Sequence, residues 1–301
     1  MNTEAVFAHA FHCVTEFNPK RLTDLCAHFR SYEAAWNASP ADLIHVLGDT
    51  EFVQQFQHNK HTIKPAELEK QLAEKHITLL TQEDPAYPER LRQSSLPPVL
   101  LYIEGTLATD AAKPAMAVVG TRMATSYGRE ACRALVGPLA EAGIPIISGL
   151  AAGIDTEAHK TALAAHGYTI AVLGSGIDRA VLYPTGNRRL ADEIVSSGGA
   201  LVSEYPPDFK ANTWTFPPRN RIIAGLASAV LVIEARKKSG TLITARNALE
   251  LGRDVLAVPG SIFSATSETP HMLIRDGAIP VTTSEDIFRA LGMEEKLQIK
   301  T

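Results

Sequence analysis

Between Thr215 and Ala245 the chain gathers residues of the kind that hold phosphate. Arg219, Asn220 and Arg221 follow Pro217 and Pro218, and an Arg236-Lys237-Lys238 run leads into Ser239-Gly240-Thr241. Guanidinium groups offer a planar fork of donors to phosphate oxygens. Small residues that open a helix free backbone N–H groups at its positive dipole end. Pro-Pro predicts a helix start at the Arg-Asn-Arg trio, and the Ser-Gly-Thr turn precedes a helical pattern from Leu242 to Leu251, so two helix N-termini are expected to suit anions. From Asn212 to Arg246 six Lys or Arg stand against one acid, Glu234, in a chain whose formal net charge is −4. That local excess points to an anionic partner. A solvated charged face with ordinary caps would explain the basic run, but not arginines bracketing an asparagine after Pro-Pro.

The elements that must position these residues begin at Met116. AMAVVG, IPIISG, TIAVLG, GALVSEY, AVLVIEA and DVLAVPG are short apolar runs separated by helical stretches, the pattern of a mainly parallel sheet covered on both faces. Ligands of such doubly wound α/β sheets sit outside the carboxyl ends of the strands. Those ends read Gly120-Thr121-Arg122, Ser148-Gly149 through Gly153-Ile154-Asp155, Gly174-Ser175-Gly176, Ser203-Glu204-Tyr205, Glu234 and Pro259-Gly260, and they are expected to line one rim. Glycine there lets backbone approach a ligand closely, or simply makes a tight turn.

Ahead of this region, residues 1–70 show apolar positions at helical spacing, such as Leu22, Leu25 and Phe29, and read as a small helical domain of sterile-alpha-motif-like or helix-turn-helix-like type. Ser39-Pro40 marks a helix start. Residues 71–115 read as bridging strands and linker, with strands at His76–Thr81 and Val99–Glu104, and 116–301 as an extended Rossmann-type domain. The separation predicts that a fragment from about Ala111 folds without the helical part. At 301 residues, 45% hydrophobic and 21% charged, the chain is of globular composition. Three cysteines without CxxC spacing argue against a disulfide framework or a thiolate zinc site. His9 and His12, beside Cys13, lack a further ligand pair and are expected at the surface of an early helix. No run approaches a membrane span, so a cytoplasmic protein is expected.

Catalytic signatures are missing where they would be looked for. There is no GxxxxGK[ST], no complete GxGxxG and no GxSxG elbow. Asp155 and His159 stand four apart without a nearby nucleophile, and are read as a helix N-cap and a helix-face residue.

The motifs VVGTR (118–122), SGLAAGID (148–155) with HKTAL (159–163), TIAVLGSGID (169–178) with YPTGN (183–187), SEYPP (203–207), FPPRNRIIAGL (216–226), VIEARKKSGTLITA (232–245) and GRDVLAVPG (252–260) occur here in one order. In that order they resemble the DprA/Smf DNA-processing family, whose members bind single-stranded DNA, protect incoming strands and help load the RecA recombinase in natural transformation. The resemblance implies an extended Rossmann fold whose positive pocket holds the strand near Gly120, Thr121, Arg122, Phe216, Arg219, Asn220 and Arg221. Ser148, Gly149, Gly153, Lys237, Lys238, Ser239, Gly240 and Thr241 complete the candidate DNA-binding set. Two departures stand out. The family's Gly-x-Asn before Leu-Ile is replaced by Thr269-Pro270-His271-Met272-Leu273-Ile274, and many relatives continue into a winged-helix-like domain where this chain ends at Thr301, after a Thr283-x-x-Asp286 capping box.

The expectation is therefore a non-catalytic, cofactor-free homodimer that grips single-stranded DNA and partners RecA, with no membrane attachment. Its dimer contact is expected between Ile262 and Val281, at Met272, Leu273 and Ile274. A nucleotide-binding or nucleoside-monophosphate-processing enzyme on a similar fold is the alternative, since one phosphate would fit the same rim, and a pure protein adaptor is a third reading. Several basic groups spaced along a groove favour a strand over a mononucleotide.

Overall fold

The computed structural model describes residues 2–14, 17–108, 110–237 and 239–294. The chain opens with six helices: α1 (Thr3–Val14), α2 (Pro19–Phe29), α3 (Tyr32–Asn37), α4 (Pro40–Leu47), α5 (Thr50–Asn59) and α6 (Pro65–Glu74). Their starts follow from the sequence. The side chains of Asn18, Ser39 and Asp49 accept hydrogen bonds from backbone N–H groups of the first turns of α2, α4 and α5, and Pro19 and Pro40 occupy first-turn positions where no N–H is needed. Phe11, Trp36 and Phe56 pack as an aromatic centre, with ring centroids 5.0–5.2 Å apart.

Two strands follow, β1 (Ile77–Thr81) and β2 (Leu100–Gly105), separated by the short α7 (Glu89–Arg92). The alternating part contains β3 (Met116–Val119), α8 (Ser126–Glu141), β4 (Ile146–Ser148), α9 (Ile154–Ala164), β5 (Thr169–Val172), α10 (Arg188–Ser196), β6 (Ala200–Ser203), α11 (Phe216–Leu226), β7 (Ala229–Val232), α12 (Thr241–Glu250), β8 (Asp254–Ala257), α13 (Glu268–Arg275), β9 (Ile279–Pro280) and α14 (Ser284–Ala290). The strands form one sheet in the order β1-β2-β6-β5-β4-β3-β7-β8-β9. Pairing is parallel from β6 to β9, whereas β2 runs antiparallel to β6 and β1 antiparallel to β2. This is the α/β, extended Rossmann-type architecture that the apolar runs predict.

Alternation along β3 explains why these strands are apolar throughout. Met116 and Val118 face α8, α9 and α14, while Ala117 and Val119 face α11, α12 and α13, so both sheet faces are buried. The helical part shares a third core with the sheet, in which Phe11, Leu25 and Leu43 join a cluster that includes Tyr102, Leu201 and Ile194. The strands between residues 71 and 115 thus belong to the same sheet as those after 116, and the stretch expected as a bridge is where the sheet changes strand direction.

At that junction the histidines depart from expectation. His9 is buried, and Nδ1 of His9 and Nδ1 of His12 both meet the Tyr102 hydroxyl, at 2.9 and 3.0 Å. Burial pushes their pKa values down to about 4 and about 3. Among the described residues no cluster of His, Cys, Asp or Glu could hold a metal ion, and no helix is long and apolar enough to cross a membrane.

Candidate functional site

The sheet reverses its direction of winding between β3 and β7. From β3 the chain proceeds outward through β4, β5 and β6, then returns by α11 to lay β7 on the other side of β3. Outside the carboxyl ends of the strands at this switch point lies a cavity of about 710 Å³. The β3 end supplies Gly120, Thr121 and Arg122, the loop after β4 and the start of α9 supply Ala151 and Asp155, α11 supplies Phe216, Arg219 and Asn220, and the β7 to α12 connection supplies Arg236, Lys237, Ser239, Gly240 and Thr241.

The first turn of α11 begins one step earlier than the sequence predicts. Phe216 is its first residue, and Pro217 and Pro218 lie inside the turn. Proline is tolerated there, but two of the helix's free N–H groups are thereby removed, leaving little backbone for an anion. The start of α12 is similarly occupied: Ser239 Oγ accepts from Thr241 N (3.2 Å), and the carbonyls of Ser239 and Gly240 accept from Leu242 N and Ile243 N (both 3.1 Å). The anion-binding capacity of the cavity therefore resides in side-chain cations.

Because α11 starts at Phe216, Arg219 and Arg221 are interior helical residues two apart, and side chains two apart point about 200° away from each other. Arg219 faces the cavity and the sheet, while Arg221 faces away and donates from Nη2 to Glu204 Oε1 at 2.6 Å. Arg221 does not line the cavity, which corrects the expectation that both arginines share one rim. Arg219 is also placed differently from an exposed phosphate ligand, being only 4% exposed. Its Nη1 donates to the carbonyl oxygens of Gly149 (2.6 Å) and Val172, which end β4 and β5, and its Nε donates to Asn220 Oδ1 (3.2 Å). Burial lowers its pKa to about 10, opposed by the nearby Asp155, so it remains charged at neutral pH. It is a cationic clip across two strand ends, and its charge sits in the cavity floor.

Three further candidates lie outside the lining. Ser148 is fully buried and donates to Val118 O (2.6 Å). Gly149 lies under the Arg219 guanidinium, where a Cβ would come within 2.7 Å of it. Gly153 is tucked against the backbone of Thr121 and Arg122 and starts α9. Asp155 is accordingly not the N-cap of α9. It lies two residues inside the start, and its Oδ2 accepts from Gly149 N (3.1 Å) and Ala151 N (3.4 Å), bracing the loop that follows β4. Burial raises its pKa to about 6 against the pull of Arg219. His159 is buried elsewhere: its Nδ1 meets Thr169 Oγ1 at 2.8 Å, and since that hydroxyl donates to Ile146 O, Nδ1 carries the proton. Asp155 and His159 serve separate hydrogen-bond networks, and among the described residues no hydrogen bond joins them into an acid–base pair.

The residues that do converge leave an uneven charge. Arg122, Arg219, Arg236 and Lys237 line the cavity with Asp155 as the one carboxylate among its described lining. Arg122 is exposed and forms no ion pair among the described residues, as is also true of Arg236 and Lys237. Lys238 lies outside the described residues. Glu234, the single acid of the basic stretch, does not pair with these cations. It is buried, accepting from Thr125 N (3.0 Å), Thr125 Oγ1 (2.7 Å) and Thr266 Oγ1 (2.8 Å), which keeps its charge on the far side of the β7 end. Asn220 closes the remaining gap, donating from Nδ2 to Gly240 O (3.1 Å) and so fixing the Ser-Gly-Thr turn to α11.

Sequence reasoning missed Tyr183, which lines the cavity from the loop after β5. An aromatic in a Pro- and Gly-containing loop is the signal that could have found it. The segment expected to make a dimer contact is mixed: Leu273 is buried in the core beside α12, whereas Ile262 and Phe263 are 80% and 92% exposed.

Comparison with known proteins bears on what such a cavity holds. Residues 78–292 match the family model described as DNA recombination-mediator protein A. The chain is 38% identical to the protein Smf of Synechocystis over 295 residues, covering 97% of this chain and 73% of that protein. It is 46% identical to the protein Smf of Escherichia coli over 213 residues, 71% of this chain and 56% of the relative's length. Among solved structures it is similar to DNA processing protein A from Streptococcus pneumoniae, with a TM-score of 0.80 and 34% identity over 94% of this chain and 97% of that one. It is also similar to DNA processing protein A from Helicobacter pylori, whose structure is described in terms of its single-stranded DNA binding mode, with a TM-score of 0.61 and 28% identity over 71% of this chain and 95% of that one.

Proposed function

The chain belongs to the DprA/Smf family of DNA recombination mediators, a family of DNA-binding proteins and not of enzymes, and from that premise we propose that it binds single-stranded DNA in the switch-point cavity, protects incoming strands and helps load RecA in natural transformation. The observation that carries this reading is the set of three exposed cations without an ion pair among the described residues, Arg122, Arg236 and Lys237, above the buried charge of Arg219. Cations spread along one groove neutralise successive phosphates, which a mononucleotide site does not need. Gly120, Thr121, Asn220, Ser239, Gly240 and Thr241 shape the groove and supply polar contacts, and Lys238 continues the basic run in sequence.

Loading of a recombinase on incoming strands places the protein in the cytoplasm. Assembly as a homodimer, with Ile262 and Phe263 at the contact, would set two such grooves side by side and lengthen the strand each particle holds. The test is a titration of labelled single-stranded and duplex oligonucleotides at two salt concentrations, followed by RecA nucleation on the protein-bound strand. Tighter, salt-sensitive binding of the single strand and faster nucleation are expected. Equal affinity for duplex and single strand, or no effect on RecA, would sink the corresponding half of the proposal.

A further inference from the structure

Two aromatic rings, Phe216 and Tyr183, line the cavity, and they differ in what they offer to a base. Phe216 is half-buried, and its ring lies on Gly174, where a Cβ would come within 2.7 Å of Cδ1. The guanidinium carbon of Arg122 stands 5.0 Å from the Phe216 ring centroid, and that of Arg219 stands 6.0 Å away. A cation held over an aromatic ring is favourable, and a base could take that place only by displacing it.

Tyr183 is in the opposite situation. It lines the same cavity, the residue is 48% exposed, and its hydroxyl has no hydrogen-bond partner among the described residues. Its ring centroid is 5.7 Å from that of Phe216, at an interplanar angle of 51°, so Phe216 supports one edge of the tyrosine and leaves the ring open to the cavity. Trp214 is as exposed, but it does not line the cavity and is turned edge-on to Tyr205 and Phe209. Arg122, Phe216 and Tyr183 reach the cavity from three separate elements, which gives a row of guanidinium, buttressing ring and open ring. Aromatic platforms beside cations are the means by which strands are held without sequence readout.

We propose that Tyr183 is the residue on which a base of the bound strand stacks, with Phe216 a positioning residue that braces both Tyr183 and the Arg122 guanidinium. The inference rests on the reading that the cavity holds single-stranded DNA.

The experiment compares a labelled oligothymidylate with an abasic strand of equal length, by fluorescence anisotropy at several salt concentrations. Tyr183→Ala is expected to weaken oligothymidylate binding by about 5- to 150-fold with the salt slope unchanged. Tyr183→Phe should retain wild-type affinity, and the abasic strand should bind the wild type and Tyr183→Ala alike. Tyr183 is half exposed, and equal thermal melts will show that its variants fold. Wild-type affinity in Tyr183→Ala, or an equal loss on the abasic strand, overturns the inference while leaving the cavity reading in place, provided Arg122→Ala lowers the salt slope. If the wild type binds neither strand with salt-dependent affinity, the cavity reading fails and the inference falls with it.

Discussion

The guanidinium of Arg219 rests directly on the backbone of Gly149, donating to its carbonyl oxygen at 2.6 Å, and it joins the carboxyl ends of β4 and β5 beneath the cavity. Removing it leaves buried carbonyl groups without a donor and takes a charge from the cavity floor. Arg219→Ala should lower stability by roughly 2–4 kcal/mol and also weaken DNA binding. Gly149→Ala should reproduce the stability loss, because the new Cβ would overlap the guanidinium. Chemical denaturation of both variants checks this, and full stability in either would show that the clip is dispensable.

Arg122 and Arg221 should separate cleanly. If Arg122 and Lys237 each neutralise one phosphate, the slope of log affinity against log salt should fall by about 0.7 on removal of either. Arg221→Ala should leave that slope unchanged, since its guanidinium faces Glu204, a side chain only 5% exposed, and its loss strands a buried carboxylate. Salt titrations and melting curves of the three variants measured together provide the check.

Acid should loosen the helical part from the sheet. The folded-state pKa values of His9 and His12, about 4 and about 3, lie below the ordinary 6.5, so the stability they contribute is present above pH 6.5 and is lost as pH falls through the folded values. Asp208 and Lys75 are the nearby charges acting on His9, with opposing effects. Asp155, raised to about 6, works the other way: its contribution is full below about 3.8 and lost as pH rises through 6. With His159 also lowered to about 3 by burial, three histidines displaced further than Asp155 give a net fall in melting temperature between pH 6.5 and 4. A melting temperature that is flat or rises over that range contradicts this.

Truncation at Ala111 should fail to give a stable fragment. The cut removes β1 and β2, and β2 supplies the antiparallel partner of β6 from Tyr102↔Ser203 to Gly105↔Ala200. An uncovered, apolar β6 edge favours aggregation. Size-exclusion chromatography of the fragment decides it, and a soluble, cooperatively melting monomer would show that the core divides there.

In the proposed homodimer, Phe263→Asp should give a monomer that stays folded, because the side chain is 92% exposed in the single chain. Light scattering at micromolar concentration reads the mass, and a monomeric wild type removes the premise.

The parallel sheet and its rim were legible because both depend on local pattern: apolar runs buried on two faces, each ending in residues such as Gly120-Thr121-Arg122. Which arginine faces the rim was not legible, because it depends on helix phase. Reading Pro217 and Pro218 as preceding α11, when they lie inside its first turn, put Arg219 and Arg221 together at an N-terminus. The placement of His9 and His12 against the sheet was hidden for a different reason. Both meet Tyr102, some ninety residues away on β2, and no spacing within α1 reports it. Asp155 looked like a cap by position, but the loop after β4 bends back to claim its carboxylate.

The parallel register of β3 and β7, which pairs Met116 with Ala229, also has a temporal side. The two walls of the cavity are made by segments more than a hundred residues apart, and non-local parallel pairing forms slowly because the intervening chain must first be ordered. During synthesis the Gly120-Thr121-Arg122 wall emerges long before Lys237 and Thr241. A nascent chain will therefore carry its rim cations in isolation, and it completes the cavity only as one of its last folding events.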